Sequence, residues 1–192
     1  MAKRGEFWLI RHGETEWTLS GAHTSFTDLR LTASGEWHAG QLKRILGNKT
    51  FALVLSSPMR RALETCRLAG YLDQAQVTTD LSEWDYGSYE GLTTAEIRKT
   101  APGWTIWTGT PPGGEEIGQV AARADRVIER AVGEQGDVAA FGHGHMMRVL
   151  GARWLGLAPE FGKYLGLGTS SISILGYEHE TRVIKMWSRP SE

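Results

Sequence analysis

Two hydrophobic rhythms alternate along the chain. Apolar runs at residues 7–10 and 51–55, and the segment 137–141 that is apolar after Asp137, read as short strands buried on both faces. Between them apolar positions recur every three or four residues, the period of a helix with one face on a core. Thr32 stands as the cap of a helix reaching about Leu46, with Ala39, Leu42, Ile45 and Leu46 on one face and Gly47-Asn48 as its stop. A second helix carries Met59, Ala62, Leu63, Cys66 and Ala69 at helical spacing. The clearest stripe is Ile117, Val120, Ala121, Ala124, Val127, Ile128 and Ala131, with Glu115 and Glu116 read into its first turn, where acids suit the helix dipole. A further helix is expected over 146–155, a short one over 94–99 and a weaker strand at 76–79. Two terminal strands, 171–175 and 182–186, flank a turn at 178–181. Residues 101–114, rich in Pro and Gly, have no period and read as a surface loop or lid. Strands alternating with helices predict an α/β fold, a three-layer α/β/α sandwich on a mostly parallel central sheet.

Length and composition narrow this picture. The chain has 192 residues; against a typical domain of about 150, one domain over 1–192 is expected. With 41% hydrophobic and 22% charged residues it is ordinary globular material. Lys and Arg number 21 against 22 Asp and Glu. That balance gives no reason to expect nucleic acid or an anionic membrane as a partner. No apolar run approaches the roughly 20 residues needed to span a bilayer, and residues 1–6 lead into a strand without a secretory core. The single cysteine, Cys66, excludes an internal disulfide and, at its helical position, reads as a buried small hydrophobe. A cytoplasmic protein is expected, with a homodimer left open. The 24 glycines suggest many tight corners, and several of the eight tryptophans fall where they could line a pocket.

Candidate chemistry sits at strand ends. Arg11-His12-Gly13 follows one strand and Gly142-His143-Gly144 another, and open α/β sheets bind ligands at such ends. Two imidazoles suggest a metal site, but their companions are Arg11, Arg61 and Arg60 instead of carboxylates or thiolates. Cations repel a metal and invite an anion, so no metal or other cofactor is expected. Guanidinium groups match phosphate oxygens, and a neutral imidazole among them can attack phosphorus. The leaving alkoxide then needs an acid. Glu83, in the loop 81–91 beside Trp84 and Tyr86, is the candidate, because partial burial there favours its protonated form.

The run from Leu9 to Trp17 resembles the signature of the histidine phosphatase superfamily, whose best-known branch is the cofactor-dependent phosphoglycerate mutases. Ser56-Ser57-Pro58-Met59-Arg60-Arg61-Ala62 with Thr65 resembles its second arginine block, 83–91 its acid loop and 142–144 its second histidine, in the family's order. The resemblance implies a phosphoglycerate mutase-like fold, His12 as the phosphorylated nucleophile, Glu83 as proton donor, and Arg11, Arg61 and His143 as clamps on the phosphoryl group. It further implies substrate contacts from Gly13, Thr18, Thr24, Ser25, Tyr86, Gly144 and His145, and Arg60 is read beside them as an extra cation toward the substrate. Two positions depart from the pattern: Thr18 stands where Asn is common, and Ser25 where Gly is common.

The stretch 93–114 offers only Arg98 and Lys99 as cations, then Trp104, Ile106 and Trp107, whereas the classical mutases carry extra basic residues there. The expected activity is therefore phosphatase, on a small phosphorylated metabolite, with phosphosugars favoured because Trp84, Tyr86, Trp104 and Trp107 would offer ring faces. A cofactor-dependent mutase and a non-catalytic phosphate binder are the alternatives.

Overall fold

The computed structural model describes residues 4–192; residues 1–3, the start of the segment read above as lacking a secretory core, lie outside the described residues. Six strands, β1 (Phe7–Arg11), β2 (Leu53–Ser56), β3 (Ala75–Val77), β4 (Val138–Gly142), β5 (Ser171–Glu178) and β6 (Thr181–Pro190), form one sheet in the order β3-β2-β4-β1-β5-β6. Strands β3, β2, β4 and β1 run parallel, while β5 and β6 are added antiparallel at one side.

The short central strands alternate between two cores. Leu9, Leu55, Ala140 and Leu175 point into one, with α5 (Ile117–Gly133) and α6 (Gly144–Trp154) supplying Val120, Ala124, Val127, Met147 and Leu150. Ile10, Val54, Phe141 and Ile172 point into the other, against Leu42 and Leu46 of α2 (Ala33–Leu46) and Cys66 of α3 (Arg60–Leu68). The three expected layers are thus present, each sheet face closed by one helix pair. Cys66 is buried, and burial pushes its thiol up to about 12. As the spacing implied, it packs as a hydrophobe.

Three expectations need correction. A five-residue helix, α1 (Glu16–Ser20), was not anticipated; Thr15 and Thr18 build it through reciprocal backbone capping. Residues 101–114 form the expected irregular surface segment after α4 (Thr94–Ile97), with Pro102, Gly103, Thr108 and Thr110 exposed, but not a free lid, because Trp104 and Ile106 are buried in the core. A segment without period can still anchor itself by isolated rings. Finally, Glu116 is the N-cap of α5 and Glu115 lies before it, paired with Arg123 at 2.7 Å, so neither acid is in the first turn.

β1 and β4 are neighbours, with Arg11 opposite Gly142. The helices that follow them, α2 and α6, cover opposite faces of the sheet. That divergence opens a crevice at the carboxyl ends of β1 and β4, where His12 and His143 emerge.

Candidate active site

The first corner is locked from three sides. His12 N–H donates to the Gly142 carbonyl (2.9 Å), and Gly13 N–H donates to Thr65 Oγ1 (2.9 Å), whose hydroxyl donates to the Arg61 carbonyl (2.7 Å). A Cβ on Gly13 would lie 2.6 Å from the Gly35 carbonyl oxygen, so only glycine lets α2 approach this closely. The His12 Nδ1 lies 2.7 Å from the Gly13 carbonyl oxygen. A carbonyl only accepts, so Nδ1 carries the proton and the neutral ring keeps its lone pair on Nε2. Burial, together with the charges of Arg11 and Arg61, pushes the His12 pKa well below the usual imidazole range. The ring is therefore neutral at pH 7.

His143 is set differently. Arg61 Nε donates to His143 Nδ1 (3.2 Å), which forces the proton onto Nε2, and that nitrogen meets Ser57 Oγ at 2.7 Å. The two rings stand edge to face with centroids 5.1 Å apart. Burial and the Arg61 charge lower the His143 pKa well below normal as well. Arg61, fully buried, also donates to the backbone carbonyls of Thr24, Ser25 and Thr27. The same loop is held from its N–H side, since Glu90 Oε1 accepts from Ser25 and Thr27. Burial opposes the Glu90 charge, but these donors outweigh it and its pKa is lowered. A buried cation and a half-buried anion thus grip one backbone segment from opposite sides.

Glu83 lies across the crevice at the start of α6. Its carboxylate accepts from the backbone N–H groups of Trp84 (3.0 Å), His145 (3.0 Å) and Met146 (2.8 Å). The last two are donors that the N-terminus of α6 leaves free, so the orientation of Glu83 is fixed by main chain. Arg11 donates to the Leu167 carbonyl, while its buried Nε has no partner. A Cβ on Gly144 would sit 3.2 Å from Arg11 Cζ, so this glycine leaves room for the guanidinium.

The model of the histidine phosphatase superfamily (branch 1) matches residues 7–190. The chain belongs to this family. It is 43% identical to an acid phosphatase of Mycobacterium tuberculosis over 91% of this chain and 87% of that protein. It is 35% identical to a sedoheptulose 1,7-bisphosphatase of Saccharomyces cerevisiae over 79% of this chain and 68% of that one. The solved structure of a Mycobacterium tuberculosis open reading frame superposes with a TM-score of 0.92 at 39% identity, covering 98% of this chain and 99% of that one.

In this histidine phosphatase a cleft of about 300 Å³ is bordered by Arg11, His12, Thr18, Thr24, Glu83, Tyr86, Gly144 and His145. Arg61 and His143 lie beneath it, buried against His12. Gly13 shapes the backbone below the site without lining it. Thr18 does line the cleft, but its hydroxyl donates to the Thr15 carbonyl (2.8 Å) and accepts from Thr15 N–H, so it is spent on capping α1. Two expected contacts are overturned. Arg60, its side chain 48% exposed, pairs with Glu64 at 2.8 Å one turn along α3 and does not reach the cleft. Ser25 turns its hydroxyl into the interior, where it has no partner, and contributes its carbonyl to Arg61. The expected aromatic border fails too: Trp84 and Trp104 are core residues, and of the four named rings only Tyr86 lines the cleft.

The sequence reading missed His23, Trp17, Thr94 and Arg148, all at the cleft, and Ser57 and Glu90 behind it. Arg148 had a usable signal, since it lies one helical turn beyond Gly144 on α6. His23 had none, being a lone histidine in a polar loop. A larger cavity of about 380 Å³ lies at the other end of the strands, between Phe7, Trp154 and Tyr177, and holds none of these histidines. Among the described residues no group of three His, Cys, Asp or Glu side chains is placed to hold a metal ion, and no helix is long and apolar enough to cross a membrane.

Proposed function

We propose that the chain, acting as one domain over residues 1–192, hydrolyses small phosphate monoesters through a phosphohistidine on His12. The observation that carries this is the His12 tautomer. With Nδ1–H tied to Gly13, the Nε2 lone pair is the nucleophile, in a ring kept neutral by burial and by Arg11 and Arg61. Nε2 attacks phosphorus and the ester P–O bond breaks. Glu83, in its protonated form, gives its proton to the departing alkoxide. Water then attacks the phosphohistidine, Glu83 takes the proton back, and inorganic phosphate leaves with Nε2 restored. Arg11, Arg61 and the Nε2–H of His143 meet the charge on the phosphoryl oxygens, the task a metal ion performs elsewhere.

Hydrolysis is favoured over mutase chemistry by the stretch 93–114. Arg98 is turned to the Trp104 carbonyl (2.9 Å), and neither it nor Lys99 borders the cleft. The acid phosphatase and bisphosphatase names of the relatives point the same way. A phosphorylated sugar is a fitting substrate class on the strength of the second of these names, no longer on ring faces. A cytoplasmic location is the accompanying reading, supported by one buried thiol and no disulfide.

The test is a phosphate-release assay on a panel of phosphate monoesters, followed by acid-quench trapping. An acid-labile, base-stable phosphoenzyme is expected. Label recovered on serine, or interconversion of 2- and 3-phosphoglycerate outpacing phosphate release, overturns the reading.

A further inference from the structure

Arg148 is a cation held ready at the far end of the cleft. Its Nε donates to the Gly162 carbonyl (3.0 Å) and its Nη2 to the Lys163 carbonyl (3.0 Å), and Trp107 lies under the guanidinium with its ring centroid 4.7 Å from Cζ. These contacts fix the plane of the group. They leave Nη1 without a partner, and among the described residues no carboxylate pairs with Arg148.

A second free donor lies beside it. Tyr86 Oη and His145 Nδ1 are 2.6 Å apart, and with the phenol as donor the neutral ring carries its proton on Nε2. Burial and the Arg148 charge hold the His145 pKa well below normal, while burial and the Glu83 charge raise that of the Tyr86 phenol. His145 and Arg148 are three residues apart on α6 and border the same cleft.

Arg11 and Arg61 are the cations that act on His12, while Arg148 and, after it, Arg11 act on His145, so Arg148 adds positive charge on the His145 side of the cleft.

We propose that Arg148 and the Nε2–H of His145 form a second anion subsite, so that the preferred substrate is a phosphate monoester bearing another anionic group, a second phosphate or a carboxylate. This rests on the phosphomonoesterase reading above and narrows its substrate class.

Two matched pairs test it: fructose 1,6-bisphosphate against fructose 6-phosphate, and 3-phosphoglycerate against glycerol 3-phosphate, with p-nitrophenyl phosphate as reference. A charge-assisted hydrogen bond predicts about 10- to 100-fold higher kcat/KM for the doubly anionic member of at least one pair. The favoured pair identifies phosphate or carboxylate as the second group. Arg148→Gln is expected to collapse that ratio mainly through KM, and Arg148→Lys to restore part of it. Wild-type enzyme that hydrolyses p-nitrophenyl phosphate yet shows no preference in either pair overturns the subsite alone. Failure to hydrolyse any of the five overturns the phosphatase reading itself. Should Arg148→Gln fail to fold, the wild-type ratios still decide.

Discussion

The two corners that bring histidine to the cleft begin alike and end in opposite states. After β1, His12 gives its Nδ1 proton to the adjacent Gly13 carbonyl and keeps Nε2 as a bare lone pair. After β4, His143 accepts a hydrogen bond at Nδ1 from Arg61 and directs Nε2–H at Ser57. Both rings are buried and both are neutral. One is built to attack and the other to donate. A strand-His-Gly corner therefore delivers an imidazole but does not assign its role; the partner on Nδ1 does. A carbonyl makes a nucleophile, and a guanidinium makes a hydrogen-bond donor.

The comparison breaks most directly by removing each ring. His12→Ala is expected to lose about 10^4-fold or more in turnover, as when a nucleophile is deleted, and to give no phosphoenzyme on acid quench. His143→Ala should lose about 10^2- to 10^3-fold, the range for one oxyanion donor, and still form phosphoenzyme. Equal losses, or no phosphoenzyme in the His143 variant, would show that the two corners are not divided this way.

Glu83→Gln sharpens the comparison from the opposite wall. Loss of a general acid predicts about 10^2-fold or more on alkyl phosphates and much less on p-nitrophenyl phosphate, whose phenolate needs little protonation. The same loss on both would leave Glu83 with positioning alone.

Acid should act on both corners together. The folded pKa values of His12 and His143 are depressed, so below about pH 6.5 the unfolded chain binds more protons than the folded one. Stability is complete above that pH and falls as pH drops toward the folded values, by about 1.4 kcal/mol per unit for each histidine. Activity should hold across the start of that window because His12 is still neutral. Urea melts and kcat/KM from pH 7.5 to 5 measure both, and activity lost with an ordinary histidine midpoint near 6.5 would count against the burial argument.

Ser57→Ala is a smaller perturbation, with an expected loss of about tenfold or less, because phosphoryl oxygen can replace Ser57 as the acceptor for His143 Nε2–H. Nitrogen NMR of the variant should keep His143 protonated on Nε2, since Arg61 fixes Nδ1. The smallest effect is expected from chelator or added divalent metal. The rate should hardly change, as guanidiniums already face the phosphoryl charge, and a rate abolished by chelator and restored by magnesium would replace this mechanism.

Local pattern determined a great deal here. The apolar runs placed β1, β2 and β4 within about two residues, the 3.6-residue stripe placed α5, and polar residues at strand ends singled out Arg11, His12 and His143 before any fold was known. Those signals are local: a strand, its end and the residue just beyond it are neighbours in the chain. Which arginine turns inward was not legible. Arg60 and Arg61 are adjacent on α3, and about 100° of helical rotation puts one beside Glu64 in solvent and the other under His143. The tryptophans of 84–107 were read as pocket walls because a ring in an aperiodic segment carries no sign of which side will be covered. Tertiary packing also decided that Ser57 meets His143, 86 residues away in the chain, that Glu90 holds the loop that holds Arg61, and that the Gly162 and Lys163 carbonyls and Trp107 hold Arg148 at the cleft. The residues that chemistry requires could be read from the chain, but their protonation and partners could not. A tautomer is fixed by whichever donor or acceptor the fold brings within about 3 Å, and contacts of that kind join segments that sequence keeps far apart.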